Sequence, residues 1–514
     1  MNLQKKNYDS AFCGSLPLQH LNIIQPHGVL LVLDKQSKLI VQASENIAGL
    51  LGIAATGIVD TPFERYLDDA GKNGLNKRFD KEAAGKIPLT LRLHNGEISI
   101  EVLCLTHLKN EYLILELFVA PAAGAKGLRF TDIFQQIKYI MAALDGAQTV
   151  EELCRITAQE LRAFSGFHKV LVYRFDEDWN GTVVAEEKAD GMEAYLGLTF
   201  PASDIPKQAR QLYIKNPYRQ IPDRNYEPVR IYPVINPLTG AFVDLSDCET
   251  RGVPSVHLEY MKNMQIEASM STRILLNETT LWGLISCHHR TALYMDYEAC
   301  SVFELVSNAI SARLALLYQK EQYDQSLQLQ EVQTKLINQV FSENDLVQGL
   351  LHKEVNLLQL VHAGGVVITL DRSIDSAGEV PDRNSIKDLV LWLQSRNLSA
   401  VYKEENLSGV FDSAVSYAGI GSGILVVPVN PAKGEFIIFF RPEAEREIEW
   451  GGNPNEAIRF EKNSVHYHPR NSFQVWQQVV KYTSLPWKKY EVDIATQFRY
   501  FILEHLMKAS SGNR

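Results

Sequence analysis

Disulfide and zinc patterns are missing from this sequence. Its 514 residues hold six cysteines, Cys13, Cys104, Cys154, Cys248, Cys287 and Cys300. They are too scattered for a disulfide framework or a CxxC metal site. A basic surplus is missing as well: net charge is −10, so the chain lacks the electrostatic footprint of nucleic-acid binding. No apolar run approaches 18 residues, and no membrane span is expected. The start, Met1 to Asn7, has no apolar signal core, which places the chain in the cytoplasm. Proline and glycine are absent from Tyr297 to Glu343. That stretch predicts one helix of roughly 40 residues, about 60 Å long. A rod of this kind commonly connects two domains and can pair with a second copy.

Hydrophobic content of 46% and charged content of 22% describe ordinary globular protein, and the length predicts roughly three domains. Residues 1–20 are polar and read as an arm without regular structure. Over 21–120, a turn at Pro26-His27-Gly28 leads into a strand ending near Asp34. Leu39–Ser44 reads as its hairpin partner and Asn46–Leu51 as a short helix. Strands follow at Leu89–Leu93, Ile98–Leu105 and Tyr112–Phe118. Small residues at Ala120–Gly127 form a candidate linker. A second set over 128–315 has helices at Phe130–Leu144 and Val150–Phe164. Its strands are Lys169–Phe175, Gly181–Glu187, Met270–Leu276 and Leu281–His289, with a helix at Val256–Met264. The turn-rich loop 217–255 is long enough to be functional. A third set spans 316–512. It carries strands at Gly364–Leu370, Ala400–Tyr402, Gly423–Val429 and Glu435–Glu443, a polar excursion over about 438–476, and a final helix at Val492–Lys508.

The most constrained stretch is Phe200-Pro201-Ala202-Ser203-Asp204-Ile205-Pro206. Two prolines fix φ and remove two donors. Ile205, before Pro206, is pushed toward extended backbone. Pro206 suits the first turn of a helix running to about Asn216. Asp204 is thereby held on a stiff corner, either as a helix cap or as a carboxylate aimed at a ligand.

PASDIP, followed by Ala209-Arg210 and Leu212-Tyr213, resembles the chromophore-pocket motif of phytochromes. Ile24-Gln25-Pro26-His27-Gly28, twelve residues after Cys13, matches the same family. So do Phe440-Arg441-Pro442-Glu443, Trp450-Gly451-Gly452 and Pro469-Arg470-Asn471-Ser472-Phe473, which mark its "tongue". The resemblance implies an α+β fold of PAS, GAF and PHY domains with antiparallel sheets flanked by helices. It also implies a long connecting helix and a figure-of-eight knot, with Ile24 where the arm threads the loop 217–255.

The resemblance further implies a linear tetrapyrrole. Arg219 and Arg251 correspond to the propionate-binding arginines, since guanidinium pairs bidentately with carboxylate. Tyr213, Ser269 and Ser271 are the hydroxyl partners. His257 and His288 match the pocket histidines near the pyrrole nitrogens and the terminal ring. Tyr173, Phe200 and Tyr260 would wall the isomerising ring. Asp204, with Ile205 and Pro206 beside it, would offer its carbonyl to the ring nitrogens and its carboxylate to Arg470, or to Ser472 after light. Cys287, His288 and His289 do not read as a metal cluster, because consecutive strand residues face opposite sides. Val256 stands where plant and cyanobacterial phytochromes carry their attachment cysteine. Cys13 therefore becomes the attachment residue, as in bacteriophytochromes that use biliverdin. Pro254 and Ser255 depart from the commonest family residues.

The implied protein is a red/far-red photoreceptor without a catalytic step. It forms a parallel homodimer through helices around 130–145 and 297–340. Its signal passes to an output module beyond Arg514, most commonly a histidine kinase acting on a response regulator. Two other classes compete. A GAF-type sensor of a cyclic nucleotide needs neither Cys13 nor the tongue. An enzyme using Cys13 as nucleophile needs a base, for which His20 is the nearest histidine by sequence.

Overall fold

A computed structural model of the chain describes residues 18–80, 87–96, 98–119, 130–277, 279–343, 345–454, 458–460, 467–469 and 473–512. Cys13, Arg470 and Ser472, and the whole candidate linker Ala120–Gly127, lie outside these residues. The chain divides into two compact units: Met1–Ala315 with Glu449–Trp476, and Leu316–Ile448 with Gln477–Arg514.

Among the described residues the first unit holds two large sheets and a two-stranded one. The N-terminal sheet has seven strands in the order Ile23–Ile24, Val229–Tyr232, Ile40–Ser44, Val29–Asp34, Tyr112–Val119, Ile98–Leu108 and Ile87–Asn95. Val29–Asp34 and Tyr112–Val119 are nearly continuous apolar runs because both faces are covered. One face packs Leu31, Leu33, Leu115 and Leu117 under the short helices that carry Leu50, Ile58 and Leu75. The other packs Leu30, Val32 and Ile114 against Ile231, Val243, Leu245 and Cys248. The segment 217–255 is therefore not a free loop. It contributes the strands Tyr218–Ile221 and Val229–Tyr232. The second lies between Ile23–Ile24 and Ile40–Ser44, with Ile24 opposite Val229 and Ile231 opposite Ser44.

Further contacts fasten the strand around Ile24, itself fully buried. Ile24 bridges Arg251. Thr250 O accepts from Gln25 N at 2.7 Å, and Ile23 O accepts from Gly252 N at 2.9 Å. A Cβ at residue 252 would lie 2.5 Å from the Ile23 side chain, so only glycine admits this crossing.

In the central sheet, Tyr218–Ile221, Ala268–Leu276, Thr280–His289, Lys169–Phe175, Gly181–Lys188 and Thr199–Phe200 follow one another. Helix Val150–Ser165 begins on Thr149, whose side chain accepts from Glu152 N, and ends on left-handed Gly166. Trp450 extends the sheet by pairing in parallel with Thr199. Ile458–Phe460 pairs antiparallel with Tyr467–Pro469, and Val475–Val480 is a strand. The polar excursion is thus in a β form where it is described.

The second unit has a five-stranded antiparallel sheet in the order Ser373–Gly378, Gly365–Leu370, Glu435–Arg441, Gly423–Asn430 and Tyr402–Glu404. Strand parity sorts its two faces. Val366, Ile368, Leu425 and Phe439 meet Leu336, Val340, Phe498 and Ile502. Val367, Val426, Ile438 and Phe440 meet Ile386, Leu389 and Leu393. Helix Tyr297–Glu343 runs its whole length without a break. By length and composition it contains an 18-residue window apolar enough for a membrane span, as core helices of globular proteins also do, and 44% of that window is buried within the protein. The final helix is longer than its apolar pattern, spanning Lys489–Gly512.

Candidate functional site

One cavity of about 270 Å³ opens in the first unit, lined by the central sheet, the PASDIP corner and helix Ser255–Asn263. Tyr173, Phe200, Asp204, Ile205, Pro206, Tyr213, Arg219, Arg251, His257, Tyr260, Ser269, Ser271 and His288 all line it. The structure thus brings together every described pocket residue singled out in the sequence. Val256, in place of the cysteine, lines it too.

Strand alternation aims these side chains. Ser269 and Ser271 are half-buried toward the cavity while Ala268, Met270 and Thr272 are fully buried behind them. His288 projects into the cavity with Ser286 and Leu284, two and four residues back. Cys287 is fully buried without lining it, and His289 stacks on His168 at 3.8 Å. Leu284, Ser286, Leu171 and Val183 were not anticipated. Their parity with His288, Tyr173 and Gly181 was the available signal. Gly181 leaves the space that the Tyr173 ring occupies, since a Cβ there would overlap it.

The PASDIP corner differs in detail from its sequence reading. Ala202–Asp204 is a 3-10 turn. Pro206 occupies the N-cap position of helix Lys207–Lys215, where no side chain caps the helix. Asp204 is therefore not the cap. Its carboxylate accepts from the Tyr260 hydroxyl at 2.8 Å. Arg210 Nη1 donates to Ile205 O at 2.7 Å and holds the corner from inside. Burial raises the Tyr260 phenol well above its ordinary pKa, so it stays a donor to Asp204. Tyr260 also meets the Phe473 ring edge-on at 5.3 Å. Tyr173 and Phe200 lie 6.1 Å apart.

The electrostatics are one-sided. Among the described residues Arg219 donates to backbone carbonyls alone: Glu249 O at 2.9 Å, Arg251 O at 2.5 Å and Gly252 O at 3.1 Å. Nη1 of Arg251 is buried without a hydrogen-bond partner among the described residues. Burial, then the neighbouring Arg219, pushes the Arg251 pKa down to about 9. The nearby Glu249 carboxylate is already engaged by the Tyr218 hydroxyl at 2.9 Å and by Gln220. Neither guanidinium pairs with a carboxylate among the described residues. Burial, then Arg219, lowers His257 to about 4. Burial, then Lys169 and His257, lowers His288 to about 3. Both imidazoles are neutral at pH 7.

The described donor atoms best placed for a metal belong to none of the anticipated residues. His107, Glu116 and Cys248 are buried with such atoms within 4.8 Å of one another. The Glu116 carboxylate is nonetheless saturated. It accepts from His107 Nε2 at 2.6 Å, Thr250 N at 2.7 Å, Thr250 Oγ1 at 2.6 Å and Glu249 N at 3.1 Å. It clamps the segment that presents Arg251.

Three family models match in order: PAS fold over residues 13–120, GAF domain over 149–314 and Phytochrome region over 329–511. "Cyanobacterial phytochrome B" of Nostoc sp. is 35% identical over 96% of this chain and 66% of its own length. A bacteriophytochrome of Xanthomonas campestris pv. campestris is 30% identical over 96% of this chain and 78% of its own. The chain thus spans about two thirds of the length of the cyanobacterial relative. Among solved structures, a bacteriophytochrome from R. palustris superposes with TM-score 0.86 at 30% identity, covering 96% of this chain and 99% of that one. The Stigmatella aurantiaca phytochrome photosensory core module gives 0.84 at 33%, with coverages of 97% and 99%. With three domain models in sequence, whole-core superposition and a single cavity gathering the pocket residues, this chain belongs to the phytochrome family, as a bacteriophytochrome photosensory core of PAS, GAF and PHY regions.

Proposed function

We propose that this chain binds biliverdin in the described cavity, linked covalently through Cys13, and works as a red/far-red light switch. The observation that carries the reading is the pair Arg219 and Arg251. A buried Arg251 and a half-buried Arg219, neither on a carboxylate among the described residues, are costly unless a ligand brings the anions. A bilin brings two propionates. A cyclic nucleotide brings one phosphate charge and leaves the second cation unpaired. The neutral His257 and His288 and the Ser269, Ser271 and Ser286 hydroxyls supply polar contacts within an otherwise apolar slot. Tyr173, Phe200 and Tyr260 wall one end, where the terminal ring would turn about its double bond.

In this reading Asp204 is the hinge of the switch. Its carboxylate faces Tyr260 now and takes Arg470 as partner in the resting state. Ring rotation shifts that demand toward Ser472, and Ser472–Val480 goes from strand to helix, two forms within a few kcal/mol of each other. The pairing of Ile24 with Val229 and Arg251, and of Gln25 N with Thr250 O, supports the threaded arm. Exposed Phe134, Tyr139, Leu316 and Tyr323 support dimerisation along the helices. A histidine kinase beyond Arg514 would receive the signal in the cytoplasm. The test is a dark-minus-red difference spectrum after mixing the protein with biliverdin. A blue-green adduct with reversible red/far-red bands is the expected result. A colourless protein overturns the reading.

A further inference from the structure

Behind the ring-turning end of the cavity lies a charge that the proposed mechanism does not use. Lys169 is 1% exposed. It stands directly across the strand pair from His288. Its Nζ lies 3.6 Å from the centre of the Tyr195 ring and donates to Glu193 O at 2.6 Å. Glu186, 5% exposed at its side chain, lies 3.7 Å from that ammonium. Its carboxylate accepts from Tyr195 N at 3.0 Å and Leu196 N at 3.3 Å. The Tyr195 hydroxyl donates to the Glu193 carboxylate at 3.0 Å. Tyr195 is 3% exposed, lines the cavity and meets Phe200 at 5.8 Å.

We infer that Lys169 is a positioning residue of the photoreceptor, whose buried ammonium holds the Tyr195 wall in place and sets the electrostatic field on His288. The inference rests on the bilin reading of the cavity. A cation over an aromatic face is attractive, the more so when desolvated. The ammonium therefore fixes the ring whose other side Phe200 meets. Second to burial, the same charge disfavours a proton on His288. The charged groups around the amine are Glu186, Glu193 and Lys188, with His288 opposite. Burial pushes the Lys169 pKa down to about 8, against the pull of Glu186 and Glu193. Above that pH the amine is neutral, and Tyr195 loses the cation over its ring.

The test uses wild type, Lys169→Arg and Lys169→Met. In bilin-free protein labelled with 13C at lysine Cε, one lysine resonance should titrate with a midpoint near 8 and be absent from both variants. After biliverdin loading, the wild-type absorbance and photoproduct relaxation rate should change together at that midpoint. Lys169→Arg should hold the low-pH behaviour to higher pH than wild type, because an arginine starts from a higher ordinary pKa than a lysine in the same burial. Lys169→Met should hold the high-pH behaviour. Deprotonation of the bilin itself would persist in both variants. A step unchanged in both, or no lysine titrating near 8, overturns the role. A wild type that titrates but never colours overturns the bilin reading, and the role with it.

Discussion

The buried Arg251 charge trades stability for selectivity toward an anionic ligand, and Arg251→Met tests this. At about 1.36 kcal/mol per pKa unit, the fall from 12.5 to about 9 amounts to roughly 5 kcal/mol against the charged form. The sign follows from linkage: the unfolded chain binds this proton more tightly, so the penalty is full at neutral pH and fades as pH rises through about 9. Water in the cavity screens part of it. Replacing buried charged groups with apolar side chains of similar volume is neutral to stabilising, by up to about 4 kcal/mol, and an unpaired charge belongs at the stabilising end. The contacts through Arg251 O and the bridge to Ile24 are main-chain and survive the substitution. Bilin-free Arg251→Met should therefore melt higher than wild type, by roughly 2–8 °C. Its affinity for biliverdin should fall, because losing one partner of a desolvated charge pair costs about 2–5 kcal/mol, or roughly 30-fold to several-thousand-fold. Thermal unfolding without ligand gives the first number. Titration in a Cys13→Ser background, where binding is reversible, gives the second. A variant that melts lower than wild type and binds biliverdin within about threefold of it refutes the argument.

Tryptic mass spectrometry should place the bilin adduct on Cys13, since burial raises the thiols of Cys104 and Cys287 far above their ordinary range and that of Cys154 to about 12; an adduct on Cys248 or Cys287 with Cys13 free counts against this. Asp204→Ala and Tyr260→Phe both break the 2.8 Å bond between these side chains. Each should take up biliverdin but form the far-red state incompletely, and Arg470→Ala should alter that state's lifetime; wild-type photoconversion in all three, with an unchanged amide infrared difference spectrum, removes the switch. Glu116→Leu strands the Glu249 and Thr250 amides, which should lower the stability of the first unit by about 3–5 kcal/mol, read as the shift of its urea midpoint; an unmoved midpoint would show that the clamp carries no load. Light scattering at tens of micromolar, on the order of a weak interface's Kd, should report a dimer, and a monomeric mass argues against pairing along the long helices.

What the sequence determined by itself is local. Two prolines fix the corner at Asp204 because φ at residue 201 and φ at residue 206 are properties of the residues themselves. Alternation along Ala268–Leu276 and Thr280–His289 decides which side chains share a face, while Ser269, Ser271 and His288 were named by the family resemblance. A stretch free of glycine and proline was sufficient for the helix Tyr297–Glu343. Tertiary structure decided whatever depends on residues far apart. Val229–Tyr232 joins a sheet whose neighbouring strand Ile40–Ser44 lies nearly two hundred residues earlier, and its own four residues say nothing of that partner. The Asp204 carboxylate could have capped its own helix. It is claimed instead by Tyr260, 56 residues on. Arg219, Arg251 and Lys169 look like any other cations in the sequence. Burial makes them exceptional, and desolvation is a sum over every neighbour that excludes water, which no local pattern encodes.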